Sequence, residues 1–196
     1  MEIINLECPS CGRPLSTEIK ECPACHRPIL ITSFNDLNKL DNLDVKKYIK
    51  SYDNVIKSNP SNDVRFASAL CLTKLKLYDK AMTLFEDCLL ENIDNPEVYF
   101  YAAICTLQGR KAFLLQRHEI NQIEKYLNAA CDIESKGVYY LLLAYIKYDY
   151  FERKYLNTTP NYKDYLHKAK EFNCSFLDSE FLFSLLNVEI PTQLEL

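Results

Sequence analysis

The chain has 196 residues, a formal net charge of -4, nine cysteines and only three glycines. So few glycines exclude a glycine-rich phosphate loop. The acidic balance speaks against a general binder of polyanions, whose affinity comes from clustered Lys and Arg.

A chain of this length makes one or two domains and can bury roughly 70% of the surface its unfolded form exposes. Residues 1–7 lead in, with Ile3, Ile4 and Leu6 in a short strand. Two near-copies follow: Cys8-Pro-Ser-Cys11-Gly12-Arg13-Pro14-Leu15 and Cys22-Pro-Ala-Cys25-His26-Arg27-Pro28-Ile29. Each carries a C-x2-C pair, and together Cys8, Cys11, Cys22 and Cys25 place four thiols where they can close on one tetrahedral ion. Zinc is the usual occupant of an all-thiolate site. Four thiolates leave no open position for water or substrate, so the expectation is one structural Zn2+. Gly12 stands where such a turn needs a residue tolerant of positive φ, and His26 stands there in the second copy. Leu15, Ile19, Ile29 and Ile31 supply the apolar side chains that shield or dock the cluster. Cys25-His26 also completes the C-x-x-C-H pattern of haem attachment, but that reading leaves Cys8 and Cys11 unexplained. A redox C-x-x-C would need a surrounding βαβ pattern that is not there.

These knuckles resemble those of a four-cysteine zinc ribbon, and the resemblance covers residues 1–31 and implies a small β module. Residues 32–43 form a polar connector with room for a short helix. From Asp44 onward the periodicity is helical. Val45, Tyr48, Ile49, Tyr52, Val55 and Ile56 make one apolar stripe ending at Asn59-Pro60. Asp63 is placed to cap a second helix through Val64, Ala67, Leu70, Cys71 and Leu75. A third follows Leu77, with Ala81, Leu84, Phe85, Cys88 and Leu89 inward. Asn95-Pro96 is an N-cap and N1 pair for a fourth, stopped near Gly109. The five cysteines outside the knuckles (Cys71, Cys88, Cys105, Cys131 and Cys174) stand singly among apolar residues and read as core thiols in a reducing compartment.

The segment Tyr78-Asp79-Lys80-Ala81, then Phe85, Cys88 and Leu89, resembles the second helix of a tetratricopeptide repeat. Tyr48, Tyr52, Val55 and Pro60 match the second half of an earlier repeat. Tyr99, Ala102 and Ala103 with Tyr126 and Ala129 match a later one, as do Tyr140, Leu143 and Ala144 with Tyr162, Leu166 and Ala169. The first step is near the about 34 residues of the family. The later steps are longer, with extended turns at residues 109–119 and 157–161. The fold class expected is therefore mainly α: an α-solenoid of antiparallel, tetratricopeptide-like helix pairs over residues 44–196, preceded by the small β zinc ribbon. Leu177–Val188 is a final apolar helix, which either caps the stack or packs into its concave side.

What the resemblance implies for function is a groove lined by the first helix of each pair. By position these are Phe66, Leu70 and Lys74, then Phe100 and Ile104, then Leu141, Tyr145 and Tyr148. Such a groove suits an amphipathic helix or apolar peptide, though the same residues also read as core. Arg13 and Arg27 sit at the knuckle tips. Residues 109–120 are the one local basic concentration, with Arg110, Lys111 and Arg117 around Phe113 and Leu114, and read either as a contact loop or as a solvated helix end. No nucleophile-and-base or paired-carboxylate pattern is seen, so an enzyme is not expected. The reading is a zinc-binding adaptor that holds protein partners, cytoplasmic, with no membrane segment. The alternative is an accessory subunit touching DNA or RNA through the ribbon, at Arg13 and Arg27.

Overall fold

In the computed structural model the residues described are 5–16, 19–58, 61–91 and 94–196. The expected strand residues Ile3 and Ile4, and the helix stop at Asn59-Pro60, lie outside them. The chain divides into two compact units, residues 1–91 and 92–196. The structure is mainly helical, with nine α-helices among the described residues and one two-stranded antiparallel sheet.

In the first unit, β1 (Asn5–Glu7) pairs with β2 (Pro14–Ser16), with Leu6 opposite Leu15. The connector holds α1 (Phe34–Asn38), started by Ser33, whose Oγ accepts from the Asp36 N–H at 3.2 Å. Next come α2 (Asn42–Ser58), α3 (Asn62–Lys74) and α4 (Tyr78–Glu91); α3 packs on α2 and α4 on α3, and α1 meets α3. Ser61, not Asp63, caps α3: its Oγ accepts from Val64 N at 3.3 Å, and Asp63 sits inside the first turn. The expected boundary at residue 31 falls inside this unit, because α2 binds the cysteine-bearing segment directly.

The second unit is built from α5 (Pro96–Leu107), α6 (Arg117–Ile133), α7 (Gly137–Ile146), α8 (Tyr162–Glu171) and α9 (Phe176–Leu186). Asn95 caps α5 with Pro96 in the first turn, as the Asn-Pro pair requires, its Oδ1 accepting from Glu97 N at 3.0 Å. α5 packs on α6, α6 on α7, and α7 on α8. Ring contacts follow that order, Tyr99 against Tyr126 and Tyr140 against Tyr165. Gly137 lets α7 approach α8: a Cβ there would stand 2.6 Å from Cys174 N and 2.7 Å from Ala169 O. α7 does not stop at Ile146. It continues as a π-helical turn, Lys147–Phe151, and a 3-10 turn, Glu152–Lys154, while the turn between α5 and α6 carries its own 3-10 segment, Ala112–Leu114.

The final helix is packed inside the second unit. α9 packs against α5 and α7, with Phe181, Leu182, Phe183, Leu185 and Leu186 all buried. Burying each such side chain contributes about 1.5–3 kcal/mol, so α9 is held to the second unit by its apolar face. No helix among the described residues is long and apolar enough to cross a membrane.

Candidate metal centre

The two knuckles have the same backbone wiring. Cys8 N donates to Arg13 O at 2.7 Å and Gly12 N to Cys8 O at 2.8 Å; Cys22 N donates to Arg27 O at 2.9 Å and His26 N to Cys22 O at 2.8 Å. Both turns need a left-handed residue, and both have one: Gly12 at φ +74° and His26 at φ +54°. A glycine adopts that conformation freely, while a histidine pays about 1–2 kcal/mol for it. Sequence repetition has thus become structural repetition around a shared centre.

All four Sγ atoms lie within 4.8 Å of one another. Across the knuckles, Cys8 Sγ stands 3.6 Å from Cys25 Sγ and Cys11 Sγ 3.6 Å from Cys22 Sγ. These separations are far beyond the about 2.05 Å of a disulfide. They sit close to the roughly 3.8 Å edge of a tetrahedron whose centre is about 2.3 Å from each sulfur. Cys8 and Cys22 are buried, Cys25 is half-buried and Cys11 is exposed. Burial pushes the Cys8 thiol up to about 12. Burial also works against the Cys22 thiolate, but the amides of Ala24 and Cys25 and the Cys25 and Cys11 thiols outweigh it and bring Cys22 down to about 6. Knuckle amides aimed at sulfur favour the thiolate, and crowding four sulfurs resists full ionisation. A cation at the centre relieves the crowding. The residues present therefore fit a metal ion held by Cys8, Cys11, Cys22 and Cys25.

The second knuckle is bonded to α2. The Tyr52 hydroxyl donates to Ile29 O at 2.8 Å and accepts from Ile31 N at 3.1 Å; the Tyr48 hydroxyl donates to Pro28 O; the Arg27 guanidinium pairs with Asp44. Burial alone would raise the Asp44 carboxyl, but Arg27 and Lys47 hold it below its ordinary value. Ser51 Oγ adds a longer contact, 3.4 Å, to Glu7 O. None of these partners was visible from the sequence, where Tyr48 and Tyr52 read only as an apolar stripe. The available signal was their buried polar tips, which require partners beyond the helix.

The side chains expected to line a groove are placed differently. In the first unit Phe66 is buried with its ring 6.1 Å from that of Phe85, and Leu70 is fully buried. Lys74 is half-buried, and its Nζ donates to the carbonyls of Leu37 at 2.6 Å, Asn38 at 3.3 Å and Leu40, so it closes the C-terminal end of α1. In the second unit Phe100, Ile104, Leu141 and Tyr145 are buried. Phe100 lies 4.8 Å from Tyr139, and Tyr145 meets Phe183 of α9 edge-on at 5.4 Å. Within each unit these apolar side chains are packed inside and not open to a groove: Phe66 lies against Phe85 of α4, and Tyr145 lies against Phe183 of α9. Tyr148 stays half-exposed against Tyr162, Arg13 is exposed, and Arg27 is spent on Asp44. Of the remaining cysteines, Cys71 and Cys88 are buried and Cys131 and Cys174 half-buried, their thiols pushed up by burial to about 12, 11, 11 and 12 respectively.

Compared with models of protein families, with curated proteins and with solved structures, the chain matches none.

Proposed function

We propose that this chain is a zinc-clasped adaptor: a four-cysteine ribbon fixed to helical pairs of tetratricopeptide type, which holds protein partners in a complex and performs no chemistry of its own. The observation that carries the reading is the four-sulfur cluster bonded to α2 through Tyr48 and Tyr52. An ion there has its coordination filled by protein, which suits a staple and leaves no site for a reacting water. The ribbon supplies rigidity to a module whose own strands are three residues each.

Zinc is the ion this donor set favours, since soft thiolates in a tetrahedron select it among divalent metals. The pairing of Arg27 with Asp44 also turns one of two knuckle cations inward, which weakens the case for nucleic acid at the ribbon. Partner contact then falls to side chains left outside the covered faces. The test is metal analysis and affinity purification on the same native sample. The expected result is one zinc per chain and a co-purifying protein in fixed stoichiometry. A metal-free folded chain, or a zinc-loaded chain that runs alone at native concentration, would refute the reading.

A further inference from the structure

The second unit carries a surface that the cysteine cluster does not use. The inserted turn between α5 and α6 is fastened to the π-helical end of α7. Phe113 N donates to Asp149 Oδ2 at 2.8 Å, and Ala112 N donates to the Tyr145 hydroxyl at 3.3 Å. Asp149 is buried, and Arg153 pairs with its other oxygen. The π-helical turn is what aims Asp149 at the inserted turn, and such turns recur at functional sites.

Along this junction cations and rings alternate. The Arg153 guanidinium lies 4.8 Å from the Phe113 ring. The Lys154 ammonium is 5.0 Å from Phe113 and 3.8 Å from Tyr150. The Arg117 guanidinium is 6.0 Å from Tyr150 and 4.7 Å from Phe151. Lys111 adds an exposed ammonium on the turn itself. Other cations nearby are already matched: Arg110 by Glu119 at 2.7 Å and Lys147 by Glu124. Among the described residues no carboxylate pairs with Lys111, Arg117 or Lys154. Resting on ring faces fixes the direction of the latter two without neutralising them. Large apolar side chains flank the row: Leu114 is 67% exposed and Tyr155 95% exposed.

We propose that this row is the docking surface for an acidic peptide segment bearing apolar side chains. The proposal rests on the adaptor reading and names the chemistry of its partner. Preorganised cations supply anion recognition at low ordering cost, Tyr and Arg side by side are the residue types enriched where binding energy concentrates, and exposed Leu114 offers apolar area beside them. A nucleic acid fits less well. Tyr150 and Phe151 are buried and their faces face cations, so bases find no row of open rings to stack on. A chain of net charge -4 also repels a long polyanion more than a short acidic segment.

The test is fluorescence anisotropy of the full zinc-loaded chain with a short labelled peptide of repeated Asp-Glu-Leu. The expected result is saturable binding that weakens with salt and falls at least about tenfold, roughly one 1.4 kcal/mol step, in the triple variant Lys111→Glu, Arg117→Glu, Lys154→Glu. The control Lys125→Glu, Lys163→Glu, Lys170→Glu, with an equal change of charge elsewhere, keeps wild-type affinity. If the first triple variant does not fold by circular dichroism, the singles Lys111→Gln and Arg117→Gln each weaken binding. No binding at low salt, equal losses in both triple variants, or tighter binding of an oligouridine that displaces the peptide overturns the proposal. A wild-type chain that ignores the peptide yet co-purifies with a native protein removes this surface and leaves the adaptor standing. Peptide binding by a chain with no native partner removes the adaptor instead.

Discussion

Substituting Tyr52 by Phe tests how the cysteine module is held. The change keeps the ring and deletes one oxygen, which serves two backbone groups: it donates to Ile29 O and accepts from Ile31 N. Ile29 and Ile31 are 1% and 0% exposed, so water cannot take the place of the hydroxyl. Each orphaned neutral group costs about 1–2 kcal/mol, the lower part of the usual range, and the pair about 2–4 kcal/mol. If the module opens from α2 as a local unit, its amides should exchange with solvent roughly 30- to 1000-fold faster, at 1.36 kcal/mol per factor of ten. The reporter is the Ile29 amide, which donates to Lys20 O at 2.9 Å and is not itself a partner of Tyr52. In the second unit, the Tyr139 amide should keep its rate. Tyr48→Phe removes one bond, to the half-buried Pro28 carbonyl, and should raise the Ile29 rate only about fivefold, for about 1 kcal/mol. If Tyr52→Phe changes the Ile29 rate by less than about threefold, the tyrosine hydroxyls do not hold the module.

Four further outcomes are expected. Gly137→Ala forces a Cβ against Cys174 N and Ala169 O, both backbone, and should lower the stability of the second unit by about 1–3 kcal/mol in thermal unfolding. His26→Gly relieves the left-handed turn and should raise the free energy of unfolding by up to about 1 kcal/mol, the relieved strain less the extra unfolded-state entropy of glycine, with zinc content unchanged. Cys11→Ser, at the exposed ligand, should drop bound zinc well below one per chain by atomic absorption. Burial raises the Glu97 carboxyl above its ordinary value despite Lys136 and Tyr139 beside it. The folded state therefore holds that proton more tightly than the unfolded chain does, and stability is lost as pH rises from the ordinary carboxylate value through the folded one. Relative to Glu97→Gln, the wild type should lose stability across that window in denaturant titrations; a flat difference would show that the carboxylate is fully compensated.

The metal quartet was legible because coordination chemistry dictates residue type and spacing together, and no other role explains Cys8, Cys11, Cys22 and Cys25 at once. The starts and stops of α4 and α5 were legible for a similar reason, since Asn95-Pro96 has few uses other than a cap. Burial of the apolar faces was legible as well, but not what covers them. Periodicity says that Phe66 and Leu70 share a face, as do Leu141 and Tyr145; it does not say whether a partner or the chain's own helices, Phe85 of α4 and Phe183 of α9, lie there. The π-helical turn was hidden because Lys147–Phe151 continues an apolar run without any Gly or Pro to mark the change. Asp149, which fastens that turn to Phe113, is an unremarkable acid until the fold buries it.

The two knuckles are near-copies in sequence and in backbone, yet the fold uses them unequally. The second turns its Arg27, Pro28 and Ile29 toward α2, where Asp44, Tyr48 and Tyr52 meet them in order along one helix face. The first leaves Arg13 and Pro14 exposed. A module with three-residue strands cannot fold on its own core, and a bound ion and the helix would each supply part of what it lacks: the ion would fix the turns, and α2 satisfies the backbone that the turns leave open. The two contributions are then coupled. Losing a bound ion should loosen the carbonyls that Tyr48 and Tyr52 hold, and losing the tyrosines should loosen the sulfurs. On the proposed reading a cluster engaged in that way serves as a clasp. Both knuckles keep exposed tips, Arg13 and Pro14 in the first and Pro23, Ala24 and His26 in the second, but on the proposed reading the cation-and-ring row on the inserted turn is the partner surface, because its cations are already oriented by ring faces.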